Sequence, residues 1–134
     1  QAAPKAGTFA SVSAGYLFTC GVRPDGTVDC WGDGTDGQTI PKPGAFTSIS
    51  AGSNHVCGVR PDGTVDCWGY NHRGQATPKA GTFTSVSAGA YFTCGRRTDG
   101  SADCWGDAAA GQIAATSGTF SLIDTGDYHS CGIR

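Results

Sequence analysis

The sequence predicts an all-β chain assembled from a repeated unit, and three observations carry that prediction. Residue usage comes first: the 134 residues include 22 glycines, no Glu, no Met and only two leucines, Leu17 and Leu122, while Thr, Ser, Val and aromatic residues are plentiful. Strong helix formers are scarce, and their replacements suit pleated strands and tight turns. The second observation is a period of 37 residues kept without insertion or deletion. Cys20, Cys57, Cys94 and Cys131 follow it, as do Cys30, Cys67 and Cys104, and Trp31, Trp68 and Trp105. Phe9, Phe46, Phe83 and Phe120 keep the same step, with Gly15, Gly52, Gly89 and Gly126, and with Gln1, Gln38, Gln75 and Gln112. A fixed period of this size marks a solenoid, propeller or array, in which each unit buries apolar surface against its neighbours. The third is the stretch CGVRPDGTVDCWG, unchanged at 20–32 and 57–69, looser at 94–106 as CGRRTDGSADCWG, and begun again at 131–134 as CGIR.

The period divides the chain into units 1–37, 38–74 and 75–111 and a partial fourth, 112–134. Within a unit, FASVSAG (9–15) alternates as a strand does and ends in Ala-Gly, YLFTCGVR (16–23) follows almost directly, and TVDCWG (27–32) comes after a turn. In that turn, Arg23-Pro24-Asp25-Gly26, proline fixes φ for a type I turn and glycine supplies the left-handed residue after it, so 16–32 is a β-hairpin. The remaining segment, 33–45, is rich in Gly and Pro and adds at most a short edge strand. No helix is expected.

The hairpin register decides what the cysteines do. If Arg23 and Thr27 close it, Val22 faces Val28 and Cys20 faces Cys30 at a non-hydrogen-bonded pair, where Cα atoms lie roughly 4.5 Å apart. That separation accepts a disulfide. The spacing predicts three cross-strand bridges, Cys20 to Cys30, Cys57 to Cys67 and Cys94 to Cys104, with Cys131 unpaired or joined to another molecule. Zinc sites use closely spaced cysteine pairs or cysteine with histidine, and one pair separated by nine residues per unit does not fit them. Bridges of this kind place the chain in an oxidising setting: extracellular, cell-surface or periplasmic.

The ordered set Phe-x-Ser-Val/Ile-Ser-Ala-Gly, Cys-Gly-Val-Arg-x-Asp-Gly-x-Val-x-Cys-Trp-Gly and Gly-Gln resembles the regulator of chromosome condensation repeat family, in its extracellular, cysteine-containing bacterial form. The resemblance covers the whole chain. It implies β-propeller blades, commonly seven to a ring in that family, one secreted branch of which includes inhibitors of beta-lactamase. It does not by itself imply a function. Three complete units and a partial fourth fall short of a closed ring, so the chain is expected to be a stretch of a longer array or one completed by another subunit. The start at Gln1, with no leader-like run, reads as that of a processed or excised chain.

Comparing units separates scaffold from variable surface. Three windows change: 16–18, 53–55, 90–92 and 127–129; 33–36, 70–73 and 107–110; and the connections 39–45, 76–82 and 113–119. In a propeller such loops gather at one rim or face, and Tyr16, Tyr70, His72, Arg73, Tyr91 and Tyr128 are the side chains there best suited to recognition. The repeated tryptophans read as packing between blades in preference to a stacking platform. His55 and His129 stand where other units have Phe18 and Phe92, which suggests packing. Asp25 is a turn residue. Arg96, in place of Val22 and Val59, should cost stability unless it reaches solvent or an Asp, so the third unit's face is expected to be exposed there.

Other functions find little support. A net charge of -2 without a basic run disfavours nucleic acid. No apolar stretch is long enough for a membrane helix. A calcium loop wants a bidentate Glu. No catalytic motif, metal set or cofactor signature appears. The expected function is that of a non-enzymatic extracellular repeat protein acting through protein contacts, able to self-assemble as a homo-oligomer into a ring or filament or to continue as a longer array. The alternative is a secreted ligand-binding propeller, inhibitor or lectin-like, that uses the variable loops.

Overall fold

The computed structural model describes residues 3, 5–109, 111 and 117–134, and within them the chain is strand and turn. The first unit folds as an antiparallel sheet of β1 (Ser11–Ala14), β2 (Phe18–Val22) and β3 (Val28–Gly32). The second repeats it with β4 (Ser48–Ala51), β5 (His55–Val59) and β6 (Val65–Gly69), and the third with β7 (Phe83–Ala88), β8 (Phe92–Arg97) and β9 (Ala102–Gly106). In the fourth, β10 (Leu122–Thr125) pairs with β11 (Ser130–Ile133) alone. Segment 33–45 forms turns and no strand; its prolines and glycines leave too few donors and too much freedom for a ladder. Ala110, in the second variable window, and 112–116, of which 113–116 belong to the connection 113–119, lie outside the described residues.

The hairpin turn forms from its residues as expected. Arg23 N donates to Thr27 O at 2.8 Å and Gly26 N to Arg23 O at 2.8 Å, while Gly26 takes φ +87°, a conformation costly to any residue with a Cβ. Asp25 Oδ1 accepts from both the N (2.9 Å) and the Oγ1 (2.7 Å) of Thr27, closing the turn from its own side chain. This geometry sets Val22 against Val28 and Cys20 against Cys30. The disulfides Cys20–Cys30, Cys57–Cys67 and Cys94–Cys104 join Cα atoms 4.1, 4.1 and 4.0 Å apart. Cys131, on β11, is free and exposed.

Blades stack so that the disulfide of one faces the aromatics of the next. Phe18, Cys20 and Cys30 pack with Phe46, Val56 and Trp68 between the first two blades, and Cys57, Val59 and Cys67 pack with Phe83 and Trp105 between the next two. Trp68 and Trp105 are therefore interblade packing elements, while Trp31 is half-buried against Phe9 of its own blade; Trp68 Nε1 also donates to Gln38 O at 3.0 Å. Burying such a side chain is worth roughly 1.5–3 kcal/mol, and Phe92, Cys94 and Phe120 are buried beyond these two seams.

On the inner side, β1, β4, β7 and β10 lie next to one another. The serine of each Ser-Ala-Gly accepts a backbone N–H from the following blade: Ser13 from Ala51 (3.0 Å) and Ser50 from Ala88 (3.0 Å), with Ser87 taking that of Thr125 (3.1 Å). The glycine that follows permits the approach, since a Cβ on Gly15 would stand 2.5 Å from Gly52 O and one on Gly52 would stand 2.2 Å from Gly89 O. Arg96 departs from the expectation of solvent exposure. It is half-buried, and its guanidinium donates to Phe120 O and, at 2.9 Å, to Thr84 Oγ1. A backbone carbonyl of the fourth unit thus satisfies a charge that a valine would not bring.

Candidate functional site

Strand direction sorts the variable windows. β2 runs toward the hairpin turn and β3 returns, so 16–18 and 33–36 emerge together at the end away from the turn. Backbone bonds join the two windows in every complete unit: Asp33 N to Leu17 O (2.9 Å), Tyr70 N to Asn54 O (2.8 Å) and Asp107 N to Tyr91 O (2.9 Å). Neighbouring blades are tied at the same level by Tyr16 N to Ser53 O (3.3 Å), Ala90 N to Asp127 O (3.0 Å) and Asn54 Nδ2 to Asp36 Oδ2 (2.7 Å). The connections 39–45 and 76–82 behave differently from the expectation that all three windows form one surface. Having left the rim they cross to the hairpin end, where Phe46 N donates to Gly26 O (2.9 Å) and Arg60 Nη1 to Pro43 O (3.1 Å). The reason is geometric: each connection must return the chain to the start of the next inner strand.

Along the rim, Tyr70, Tyr91 and Tyr128 form a row that runs from the second blade to the fourth, with ring centroids 6.4 and 6.5 Å apart. His72 stacks at a tilt on Tyr70, 4.8 Å between centroids. Tyr16 is 76% exposed, and with Tyr91, Tyr128, Asp33 and Asp127 it lines an open depression of about 450 Å³. Arg73 is exposed on the same rim, its backbone N donating to Gln75 Oε1 at 2.9 Å, and it does not line the depression. All six side chains singled out in the sequence lie in the rim windows, and the rings among them come together.

Charge is arranged oppositely at the two ends. At the hairpin end each Asp on the third strand is neutralised: Asp29 by Arg23 (2.8 Å) and Lys5 (3.3 Å), Asp66 by Arg60 (2.8 Å) and Lys42 (3.8 Å), Asp103 by Arg97 and Lys79 (3.2 Å). The Arg23 hydrogen bond holds the Asp29 carboxyl below its usual range. Arg23 also lies over the Phe9 ring at 4.7 Å, and Arg60 and Arg97 do the same over Phe46 and Phe83. At the rim, Asp33 Oδ1 accepts from Thr35 N (3.2 Å) and Oγ1 (2.6 Å), which lowers its pKa. Neither Asp33 nor Asp127 has an ion-pair partner among the described residues.

Sequence reasoning missed two features. The Arg–Asp–Lys triads repeat with the period, and only the fold brings the lysine of a connection to the Asp of a strand. His55, expected to pack, is fully buried like Phe18 and Phe92, and its Nε2 also bonds Thr93 Oγ1 of the next blade at 2.8 Å. A signal existed: Val56 stands at the position of Thr93, and it joins Phe18 in an apolar seam.

Three- and two-stranded sheets stacked through disulfides and tryptophans, with variable loops on one rim, define a β-propeller blade array. The model of the regulator of chromosome condensation (RCC1) repeat matches residues 9–38, 46–75 and 83–112, and the chain belongs to that family. No curated protein sequence matches the chain. Among solved structures, the entire ectodomain of the Physcomitrella patens receptor kinase CR4 is similar over 93% of this chain and 35% of its own, with 39% identity and a TM-score of 0.81. The CRINKLY WD40 ectodomain of the Arabidopsis thaliana receptor kinase ACR4 is similar over 93% of this chain and 45% of its own, at 35% identity and TM-score 0.78. Yeast RCC1 (Prp20), solved bound to Kap60, shares the fold over 96% of this chain and 42% of its own, at 16% identity and TM-score 0.80. The chain thus spans less than half the length of each of these.

Proposed function

We propose that this chain is a non-catalytic, extracellular propeller segment that works through protein–protein contacts, with the rim of Tyr16, Tyr70, His72, Arg73, Tyr91 and Tyr128 as its contact surface. The observation that carries the reading is the tyrosine row, Tyr91 and Tyr128 exposed and Tyr70 half-buried, on the rim where two of the three variable windows gather. Tyrosines presented on a rigid scaffold supply contact area at low entropic cost. Three disulfides and the likeness to two receptor-kinase ectodomains support an extracellular setting. The test is quantitative capture from extracellular fluid with the parent and two variants. Partners held by the parent and by an Asp25→Asn, Asp62→Asn hairpin variant, and lost by a Tyr70→Ala, Tyr91→Ala, Tyr128→Ala variant, support the rim. Equal capture by all three overturns it.

A second contact, with another blade, has its own support. Phe9, Val12 and Trp31 form an open face on the first blade, Val12 63% exposed, and carry the residue types that Phe46, Ile49 and Trp68 present to the first blade. Among the described residues β11 pairs with β10 alone, and Leu122 and Ile133 are exposed beside it. These halves of one interface fit a head-to-tail contact, either with further repeats of the same array or with a second copy. Sedimentation velocity decides on self-association: reversible oligomers weakened by Trp31→Ala support it, and a monomer at every concentration removes it.

A further inference from the structure

We propose that the depression among Tyr16, Tyr91 and Tyr128 receives a cationic side chain, arginine or lysine, from an extended segment of a partner protein, with Asp33 and Asp127 as its counter-charges. The proposal rests on the protein-contact reading above and names the chemistry of that contact.

Every ion pair among the described residues lies at the hairpin end and uses Asp29, Asp66 or Asp103. No Lys, Arg or His lines the depression, so its two carboxylates face solvent without a cation. Asp33 spends one oxygen on Thr35 and leaves the other free. Asn54, also in the lining, gives one of its two amide N–H groups to Asp36. The two carboxylates are acceptors only, and three tyrosines with Leu17, Ser53 and Ala90 make up the rest of the wall. A sugar hydroxyl offers and demands both donors and acceptors, whereas ammonium and guanidinium groups are donors only. Such cations also favour the negative faces of aromatic rings, and guanidinium suits carboxylates with its fixed fork.

The probes are acetylated, amidated octapeptides of alternating Gly-Arg, Gly-Lys or Gly-Gln, with chitotetraose as the sugar, titrated by calorimetry. The Gly-Arg and Gly-Lys peptides should bind at least about tenfold more tightly than the Gly-Gln peptide or chitotetraose. An Asp33→Asn, Asp127→Asn variant should lose about tenfold for the cationic peptides, and a Tyr91→Leu, Tyr128→Leu variant about threefold or more. Asp62→Asn with Asp99→Asn makes the same charge change at the hairpin end, and asparagine keeps the acceptor oxygen that the turn uses, so binding there should stay within about twofold. Thermal midpoints establish that each variant is folded. Equal loss in the two aspartate variants, binding of the Gly-Gln peptide as tight as that of the cationic ones, or no peptide binding overturns the cation site and leaves the capture experiment to judge the rim. Chitotetraose binding that depends on Tyr91 and Tyr128 overturns both.

Discussion

His55 Nε2 donates a 2.8 Å hydrogen bond to Thr93 Oγ1 across the seam between the second and third blades, and this bond settles the state of the imidazole. The single hydroxyl proton of Thr93 goes to Gln75 O at 3.0 Å, so the histidine must be the donor and Nδ1 carries no proton. That Nδ1 is buried with no partner. Charging the ring would leave an N–H without an acceptor in an apolar seam, and burial pushes the His55 pKa down to about 4 from 6.5.

The first prediction follows by linkage. The unfolded chain takes up the proton near pH 6.5 and the folded chain only near pH 4, so stability is full above pH 6.5 and falls by about 3 kcal/mol as the pH drops through that window. Urea midpoints between pH 7.5 and 4 measure it. The double change His55→Phe with Thr93→Val, which copies Phe18 and Val56, should flatten the curve there. Thr93→Val alone should cost about 1–3 kcal/mol at neutral pH, because it strands the imidazole N–H. The lowered carboxyls of Asp25, Asp62 and Asp99, each held chiefly by the hydroxyl of Thr27, Thr64 or Ser101, lose stability as the pH falls through their own range, below the histidine window.

Trp68 and Trp105 occupy one position in the repeat and are equally buried, each 6% exposed, yet they are not equivalent. Trp68 Nε1 donates to Gln38 O at 3.0 Å, whereas Trp105 Nε1 has no acceptor. Phenylalanine at either site opens a similar cavity. At Trp68 it also strands a buried carbonyl, while at Trp105 it removes an unpaired donor. Trp68→Phe should therefore be the more destabilising by about 1–3 kcal/mol, read as a shift in the denaturant midpoint at unchanged slope.

Local features of the fold were legible because the repeat states them several times. Turn chemistry at 23–26, the alternation of strands and the facing cysteines are all short-range, and their geometry follows from Pro, Asp and Gly at fixed offsets. Interblade relations were only half legible. Trp and Phe could be assigned to packing, but Ser13 capping Ala51 N and Lys42 reaching Asp66 depend on where the next blade falls. Arg96 shows the limit most clearly. Its sequence context suggests a charge seeking water, and only the placement of Phe120 O turns it into a link to the fourth unit. At the candidate site the residues were readable from their variability, while their gathering into a row was not, since it needs the windows of different blades at one height.

The disulfides offer a covalent test. Alkylation under denaturing, non-reducing conditions should label one thiol per chain, that of Cys131, with mass spectrometry locating it. Each bridge closes a loop of sequence separation 10, so Cys57→Ser with Cys67→Ser should lower stability by about 2–3 kcal/mol. The Cys57–Cys67 pair lies in the seam with Phe83 and Trp105, so the loss should also appear as faster amide exchange in the third blade.

Glycine plays two separable roles, and two substitutions tell them apart. At Gly37 φ is +81° and a Cβ would meet nothing within 4 Å, so Gly37→Ala carries only the backbone penalty, about 1–2 kcal/mol. At Gly52 no positive φ is involved, but a Cβ would lie 2.2 Å from Gly89 O and 2.6 Å from His55 Cε1. Backbone of the next blade cannot yield as a side chain does, so relief requires the second and third blades to separate. That movement would strain Ala88 N to Ser50 Oγ and His55 Nε2 to Thr93 Oγ1 together. Gly52→Ala should therefore cost more than Gly37→Ala, about 3 kcal/mol or more. It should also raise the pKa of His55 toward 6.5 by admitting water to the seam, a shift that NMR titration of the imidazole would detect and that Gly37→Ala should not produce.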